Sequence, residues 1–359
     1  MKDTFKIENM DTLGQGVSKK EGKVLFIKKV LPEEQGEATI LRSAKGVHFG
    51  KVKKLEQTSP KRIEPECEHF QDCPGCDYLH TSYENEFAFK RESFQRIFSF
   101  LKPINDIDYI AAKNRLHYRN RVQLHYHQIK NQFGFVNSLE NKIVSIPNCQ
   151  ITVPPLAVKI RELTESQNWR KLCQKPEGHL EFYYTGNEVK IQADARYSHE
   201  GFTQVNSEMN QVLIEYLDKV FEEQKFKNVV ELFAGDGNLT KKQKFSYHLM
   251  VDYYTKTPAD KTSLNLDLYS PKALAELQKK LGKNSIDCLL LDPPRSGFKT
   301  LNEWTECLQP RTILYVSCDP QTLARDLRSL KRPYQVKKLA LLDLFPSTHH
   351  FESVSFIAF

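Results

Sequence analysis

Apolar runs that stop abruptly at an acid, an amide or a thiol recur along the last third of the chain. Val229–Leu232 leads into Phe233-Ala234-Gly235-Asp236-Gly237-Asn238, and Leu249–Val251 leads into Asp252. Cys288–Leu291 leads into Asp292-Pro293-Pro294-Arg295, and Ile313–Val316 leads into Ser317-Cys318-Asp319-Pro320. Each run is short, aliphatic and bounded by turn residues, which predicts buried strands. Just before them the period changes. Met209, Val212, Leu213, Leu217, Val220 and Phe221 recur at helical spacing, with Asn206 or Ser207 as the cap. From about residue 199 onward this predicts an open, Rossmann-like α/β sheet, a fold that places ligands outside the carboxyl ends of its strands.

The earlier part of the chain reads differently. Lys23–Val30, Glu37–Ser43 and Val47–Leu55 are strand-like and separated by Pro32, Gly36, Lys45 and Gly46. A segment of that size suits a five-stranded OB-like β-barrel. Residues 57–65, with two prolines and no periodicity, read as a linker. A helix is expected from Tyr83 to Leu101, with Phe87, Phe94, Ile97, Phe98 and Leu101 on one face. Val122, Leu124 and Tyr126 alternate as in a strand, and 179–192 reads as a hairpin around Thr185-Gly186-Asn187. The expected organisation is a multi-domain α/β protein: an OB-like barrel at 1–58, a β-rich central domain at 59–198, and a Rossmann-like domain at 199–359.

Charge and cysteine usage narrow the function classes. The 359 residues carry a net charge of +7, which fits a polyanionic partner. The N-terminal residues lack the apolar core of a secretory signal, and no uncharged apolar stretch approaches membrane-spanning length, so a cytoplasmic protein with no membrane partner is expected. In that compartment the eight cysteines are not expected to form disulfides. Cys67, Cys73 and Cys76, the last two around Pro74-Gly75, could bring thiolates to one metal centre, with Cys149 in its Pro/Asn turn as the fourth ligand. Four thiolates fit either a structural zinc or an iron–sulfur cluster. The N-terminal lysines suit an RNA-backbone grip or a solvated strand face. Arg115, Arg119 and Arg121, interleaved with His117 and Tyr118, suit a single-stranded RNA surface or, equally, a solvated one.

Cys318 stands where a strand of the α/β sheet should end, and is expected to be a nucleophile toward an RNA base. A buried, inert thiol is the alternative. The Gly-x-Gly turn after Leu232 lets a ligand approach the backbone, and Asp252 ends the next strand where a carboxylate would meet a ribose.

Together, VVELFAGDGNLT, LLLDPPRSG, LYVSCDPQTLARD and PSTHHFES resemble the RNA uracil-C5 methyltransferases that use S-adenosylmethionine. Cys67, Cys73, Cys76 and Cys149 are similar to the cluster ligands of the ribosomal-RNA branch, which carries a [4Fe–4S] centre, and the first 58 residues look like its TRAM domain. The resemblance implies transfer of a methyl group to C5 of a uridine in 23S rRNA, with Cys318 adding to C6 and Glu352 as the base that removes the C5 proton. It implies a cofactor site at Gln204, Phe233, Asn238, Asp252, Asp267 and Asp292. Asp252 would meet the ribose hydroxyls, and Asp292 would lie between methyl donor and base. The target uridine would leave its stack to reach Cys318. No stable protein partner is implied and a monomer is expected. The chain departs from the family pattern between Asn238 and Asp292, where a short polar stretch with Pro258 and Asp260 leaves little room for a helix after Asp252. Two other activities compete. One is an amino methyltransferase using the DPPR turn, disfavoured by Arg295 in place of an aromatic. The other is a non-catalytic RNA-binding iron–sulfur protein with a decayed cofactor pocket.

Overall fold

The computed structural model describes residues 2–20, 22–101, 107–195, 203–253 and 262–359. Pro258 and Asp260 lie outside the described residues. Three sheets organise the chain.

The first contains β1 (Lys2–Lys6), β2 (Asn9–Met10), β3 (Gln15–Lys20), β4 (Lys23–Lys28), β5 (Gln35–Ala44) and β6 (Val47–Gln57), ordered β1-β5-β6-β4-β3-β2. It has six strands rather than the expected five, and its ladders run in a linear order. Phe5, Ile7, Leu25, Ile27, Val30 and Ala38 form its small core. Register shifts along β5 and β6 bend this pair, as bulges do.

The second sheet is antiparallel. It contains β8 (Arg121–His127), β9 (Gln132–Asn137), β10 (Lys142–Val144), β11 (Glu177–Tyr184) and β12 (Val189–Ala193), ordered β10-β9-β8-β11-β12. The alternating Val122, Leu124 and Tyr126 point into its core, against Leu156 and Ile160 of helix α2 (Pro154–Ser166). That helix opens on Pro154-Pro155, residues that suit the first helical positions.

The third sheet positions the chemistry. Its order is β15 (Ser263–Asn265), β14 (Tyr247–Asp252), β13 (Asn228–Leu232), β16 (Cys288–Leu291), β17 (Thr312–Ser317), β19 (Glu352–Ala358), β18 (Gln335–Leu342), β7 (Ile107–Ile110). The run from β15 to β17 is parallel, and β19 is inserted antiparallel between β17 and β18. Helices cover both faces, as a buried parallel sheet requires. One face packs on α1 (Tyr83–Ile97), α4 (Ala273–Leu281), α5 (Leu301–Leu308) and α6 (Pro320–Ser329), through Phe94, Leu277, Trp304 and Leu323. The other packs on α3 (Ser207–Gln224) through Met209, Leu213, Leu217 and Phe221. Asn206 caps α3 by accepting from Met209 N at 3.1 Å.

Helix α1 and strand β7 precede residue 199 yet belong to this third sheet, since β7 pairs with β18 and Phe94, Ile97 and Phe98 enter its core. Their segment is a non-contiguous part of the α/β layer, which a reading in sequence order assigns to the middle of the chain. No helix among the described residues is long and apolar enough to cross a membrane.

Candidate active site and cysteine centre

The strand β17 ends at Ser317, and the next turn is tied tightly. Ser317 Oγ accepts from Asp319 N at 3.2 Å and donates to Asp319 O at 2.9 Å. Asp319 then caps α6, its Oδ1 accepting from Gln321 N at 3.0 Å and Thr322 N at 3.2 Å, with Pro320 in the first helical turn. Cys318 is held between strand end and helix start, half-buried. The β17–β19 register ends at Ser317 opposite Ser353, so its continuation by one step sets Cys318 across from Glu352. Residues so related have Cβ atoms roughly 5 Å apart. On its other side Glu352 pairs with Leu342.

Glu352 is 1% exposed, and neither carboxyl oxygen has a hydrogen-bond partner. A bare carboxylate there would be costly. Burial drives its pKa well above the ordinary range, the charge of Asp292 adds to this, and the Arg295 guanidinium opposes it. Burial likewise pushes the Cys318 thiol up to about 12, helped by Glu352 and Asp292, while Arg295 opposes by its charge and by a hydrogen bond to the sulfur. A thiol at a helix start is usually made more acidic, but here desolvation and two acids win. Asp292 is raised to about 7 by burial and by Glu231, which lies deeper and accepts from Thr240 Oγ1 at 2.6 Å. His350 Nε2 lies 3.5 Å from Arg295 Nη2. Burial, with His349 and Arg295 nearby, depresses the His350 pKa to about 3, so its ring is neutral. His350 sits in the turn before β19 rather than on the strand, so strand alternation does not set its direction relative to Glu352.

The predicted cofactor residues gather along the same carboxyl edge, on either side of β13, where the chain order of the strands reverses. Phe233 adopts φ 60°, and Gly235 and Gly237 follow at 53° and 71°. Gly235 N donates to Asp252 Oδ2 at 2.9 Å, and a Cβ at Gly235 would meet nothing within 4 Å, so a ligand can approach this backbone. The Phe233 ring packs on Phe298 and Tyr269, at 5.3 and 5.7 Å between centroids. Asn238 exchanges two amide hydrogen bonds with Asn210 of α3, at 2.8 and 3.1 Å. Asp267 is exposed just beyond β15 and accepts from Tyr269 N at 3.0 Å. Gln204 lies just before α3, its carbonyl accepting from Asn120 Nδ2 at 3.1 Å.

Residues that sequence reasoning passed over shape the site. Asp326 of α6 accepts from Phe298 N at 2.6 Å and from Tyr315 OH at 2.7 Å, and Arg325 donates to Ser296 O at 2.8 Å. These bonds hold the turn that carries Arg295. The spacing of an acid on a helix gives no sign of such a role. Asp77 directly follows Cys76, and that adjacency was the one available signal for it.

Cys67, Cys73, Cys76 and Cys149 are all buried and line one small gap with Phe70, Leu79, Ile146 and Ile151. Burial raises all four thiols, Cys73 to about 11. Among the described residues no group of three or more His, Cys, Asp or Glu side chains is disposed to hold a single metal ion. The four cysteines border this one gap. Zinc needs convergence, at about 2.3 Å per sulfur. A polynuclear cluster takes thiolates on separate irons. Lys29 donates into this loop, to the carbonyls of Phe70, Gln71 and Cys73.

The arginines considered for an RNA surface are turned inward. Arg115 bonds Glu86 and the Tyr78 carbonyl, Arg119 bonds the Arg121 carbonyl, and Arg121 is buried beside Glu181 and over the Tyr183 ring. Arg115 and Arg121 thus join distant segments, while Arg119 is half-buried and bonds a residue two positions along the chain, beside an exposed His117.

A family model described as tRNA (Uracil-5-)-methyltransferase matches residues 270–358, the stretch holding Asp292, Cys318 and Glu352. Two curated relatives are named 23S rRNA (uracil(1939)-C(5))-methyltransferase RlmD. The one from Shewanella sediminis is 27% identical over 99% of this chain and 95% of its own length. The one from Shewanella amazonensis is 28% identical over the same shares. The solved tRNA (uracil-54, C5)-methyltransferase of Pyrococcus abyssi, in complex with S-adenosyl-L-homocysteine, superposes with a TM-score of 0.67 over all of both chains, at 19% identity. Fold, site-bearing segment and end-to-end similarity all point to the RNA uracil-C5 methyltransferases as the proteins this chain is similar to.

Proposed function

We propose that this protein methylates C5 of a uridine in 23S rRNA through a covalent bond between Cys318 and uracil C6. The observation that carries the reading is the β17–β19 register, whose next step beyond Ser317–Ser353 brings a half-buried thiol beside a sealed carboxyl. The rRNA assignment follows the relatives named for 23S rRNA, which span nearly the whole chain.

Uracil C5 is a poor nucleophile. Cys318, as thiolate, donates an electron pair to C6, and the charge moves into an enolate whose C5 is nucleophilic. S-adenosylmethionine supplies an electrophilic methyl carbon on a sulfonium. Phe233, Asn238, Asp252, Asp267, Asp292 and Gln204 bind and orient it, with Asp252 on the ribose and Asp292 favouring the positive sulfonium. C5 then carries both methyl and hydrogen. Glu352 removes that proton, the electron pair re-forms the C5–C6 double bond, and the C6–S bond breaks to return the Cys318 thiolate. The charge of Arg295, close to the sulfur, balances the negative charge while it resides there.

Cys67, Cys73, Cys76 and Cys149 would hold a [4Fe–4S] cluster, each thiolate on its own iron, in keeping with four buried sulfurs around a gap. The first sheet acts as a TRAM-like RNA-binding module, with residues 59–198 as the cluster-bearing unit and the last part as the transferase. The protein works as a cytoplasmic monomer.

The test is a trap. Fluorine at C5 cannot leave as a proton, so 5-fluorouridine rRNA fragments incubated with protein and methyl donor should yield a denaturant-stable adduct. Cys318→Ala should yield none. An adduct formed equally by the alanine variant overturns the covalent route. Unchanged 23S rRNA methylation in cells lacking the protein overturns the substrate.

A further inference from the structure

The turn between β18 and β19, residues 343–351, delivers Glu352, and it is held largely by parts of the chain far away in sequence. Asp77 N and Tyr78 N both donate to Ser347 O, at 2.8 and 3.2 Å. Tyr118 OH donates to Pro346 O at 2.9 Å, and Ser347 N donates to Glu86 Oε1 at 2.6 Å. Ser347 is held at φ 70°, a conformation an L residue keeps only when its surroundings impose it. One side chain ties the turn twice. Asp77 Oδ2 accepts from His349 N at 3.0 Å and from His349 Nδ1 at 2.7 Å. Asp77 is 3% exposed, and a Cβ at the adjacent Gly14 would press on both Asp77 and His349, so the contact has no room to drift.

Asp77 is the residue after Cys76, and the His349 ring lies against that of His350, centroids 3.9 Å apart and planes tilted by 38°. His350 Nε2 lies 3.5 Å from Nη2 of Arg295, whose charge lowers the pKa of the nearby Cys318 thiol. We propose that Asp77 is a positioning residue that clamps the 343–351 turn to the cysteine loop, so that the integrity of the cysteine centre sets the placement of Glu352. The proposal rests on the function proposed above, with Glu352 as the proton acceptor. It gives the cysteine centre a mechanical part in the last chemical step.

That last step makes the clamp testable, because a misplaced base stalls the reaction after methyl transfer. Asp77→Ala should trap 5-fluorouridine RNA within about twofold of the parent protein. On ordinary uridine RNA its turnover should fall roughly 10- to 100-fold, the scale of a displacement near 1 Å, and methylated covalent complex should accumulate. A variant that merely folds badly would lose trapping and turnover together, which overturns the proposal. Asp77→Asn keeps an acceptor for His349 and should recover most of the rate. His349→Ala, which removes the ring partner from the other side, should stall like Asp77→Ala. Amide hydrogen exchange supplies a readout free of activity. Residues 343–351 should exchange at least about tenfold faster in Asp77→Ala with iron content unchanged, and also in parent protein stripped of iron by chelation. Unchanged exchange in either sample overturns the clamp. If the parent protein itself fails to trap 5-fluorouridine RNA, the covalent reading falls instead, and exchange still decides the clamp.

Discussion

Replacing Glu352 by Gln isolates the final proton transfer. Gln has the same shape, and neither carboxyl oxygen of Glu352 holds a hydrogen bond that the change would break. Burial and Asp292 raise its pKa well above the ordinary range, which favours the neutral form that Gln imitates. Folding stability should therefore change by less than about 1 kcal/mol, an ordinary value for a swap that breaks no buried pair. Catalysis should change far more. A positioned general base contributes roughly 10²–10⁴ in rate, equivalent to about 3–5 kcal/mol of barrier. The assay is single-turnover methylation with labelled methyl donor, resolved by denaturing gel. Label should reach the protein–RNA adduct at close to the parent rate, while free methylated RNA appears at least about 100-fold more slowly. Release at the parent rate would refute the assignment of Glu352. Loss of label from the adduct as well would show that the residue acts before methyl transfer, which the geometry does not support.

Other consequences follow from buried charge. Lys90, with Glu86 and Asp343, is sealed from solvent and donates to both acids, at 2.9 and 2.8 Å. Lys90→Met removes the cation shared by both acids, leaving Glu86 with Arg115 and Asp343 with the Tyr83 hydroxyl, and should cost about 3–5 kcal/mol of stability, read from urea unfolding; a change under 1 kcal/mol would contradict the pairing. Asp292, raised to about 7, is protonated below that pH and a carboxylate above it. Binding of cationic S-adenosylmethionine should therefore strengthen relative to neutral S-adenosylhomocysteine as pH rises from 6 to 8, by roughly fivefold for a coupling near 1 kcal/mol. Calorimetry at both pH values checks this, and Asp292→Asn should flatten the ratio.

How much was legible in the sequence depended on the range of the contacts involved. The strand ends at Leu232, Asp252, Asp292 and Cys318 were readable because each is a local event, an apolar run closed by a polar turn. The pairing of Cys318 with Glu352 was not, since it depends on β19 running antiparallel beside β17, a contact across more than thirty residues that no local pattern encodes. Helix α1 and strand β7 were assigned to the wrong neighbourhood for the same reason. The arginines from 115 to 121 show the opposite failure. Their spacing looked like a surface, but burial is a tertiary fact, and Glu86, Glu181 and the Tyr78 carbonyl supply partners from distant segments.

The buried groups around Cys318 form one electrostatic unit. Sulfur, Asp292 and Glu352 compete for negative charge in a poorly solvated place, and Arg295 is the cation that opposes the charge on both sulfur and Glu352. A charge on any one of the three raises the cost of charge on the others. Bonding of the sulfur to C6 removes it from that competition, because a thioether cannot ionise. Passage of the negative charge into the enolate, and its cancellation by the incoming methyl cation, then leaves Glu352 with one fewer competitor when a carboxylate is required. The same burial that suppresses the free thiol thus helps order the steps: the base becomes easier to ionise once the nucleophile has been consumed. A more exposed site would give up that ordering, since water would screen each group from the others.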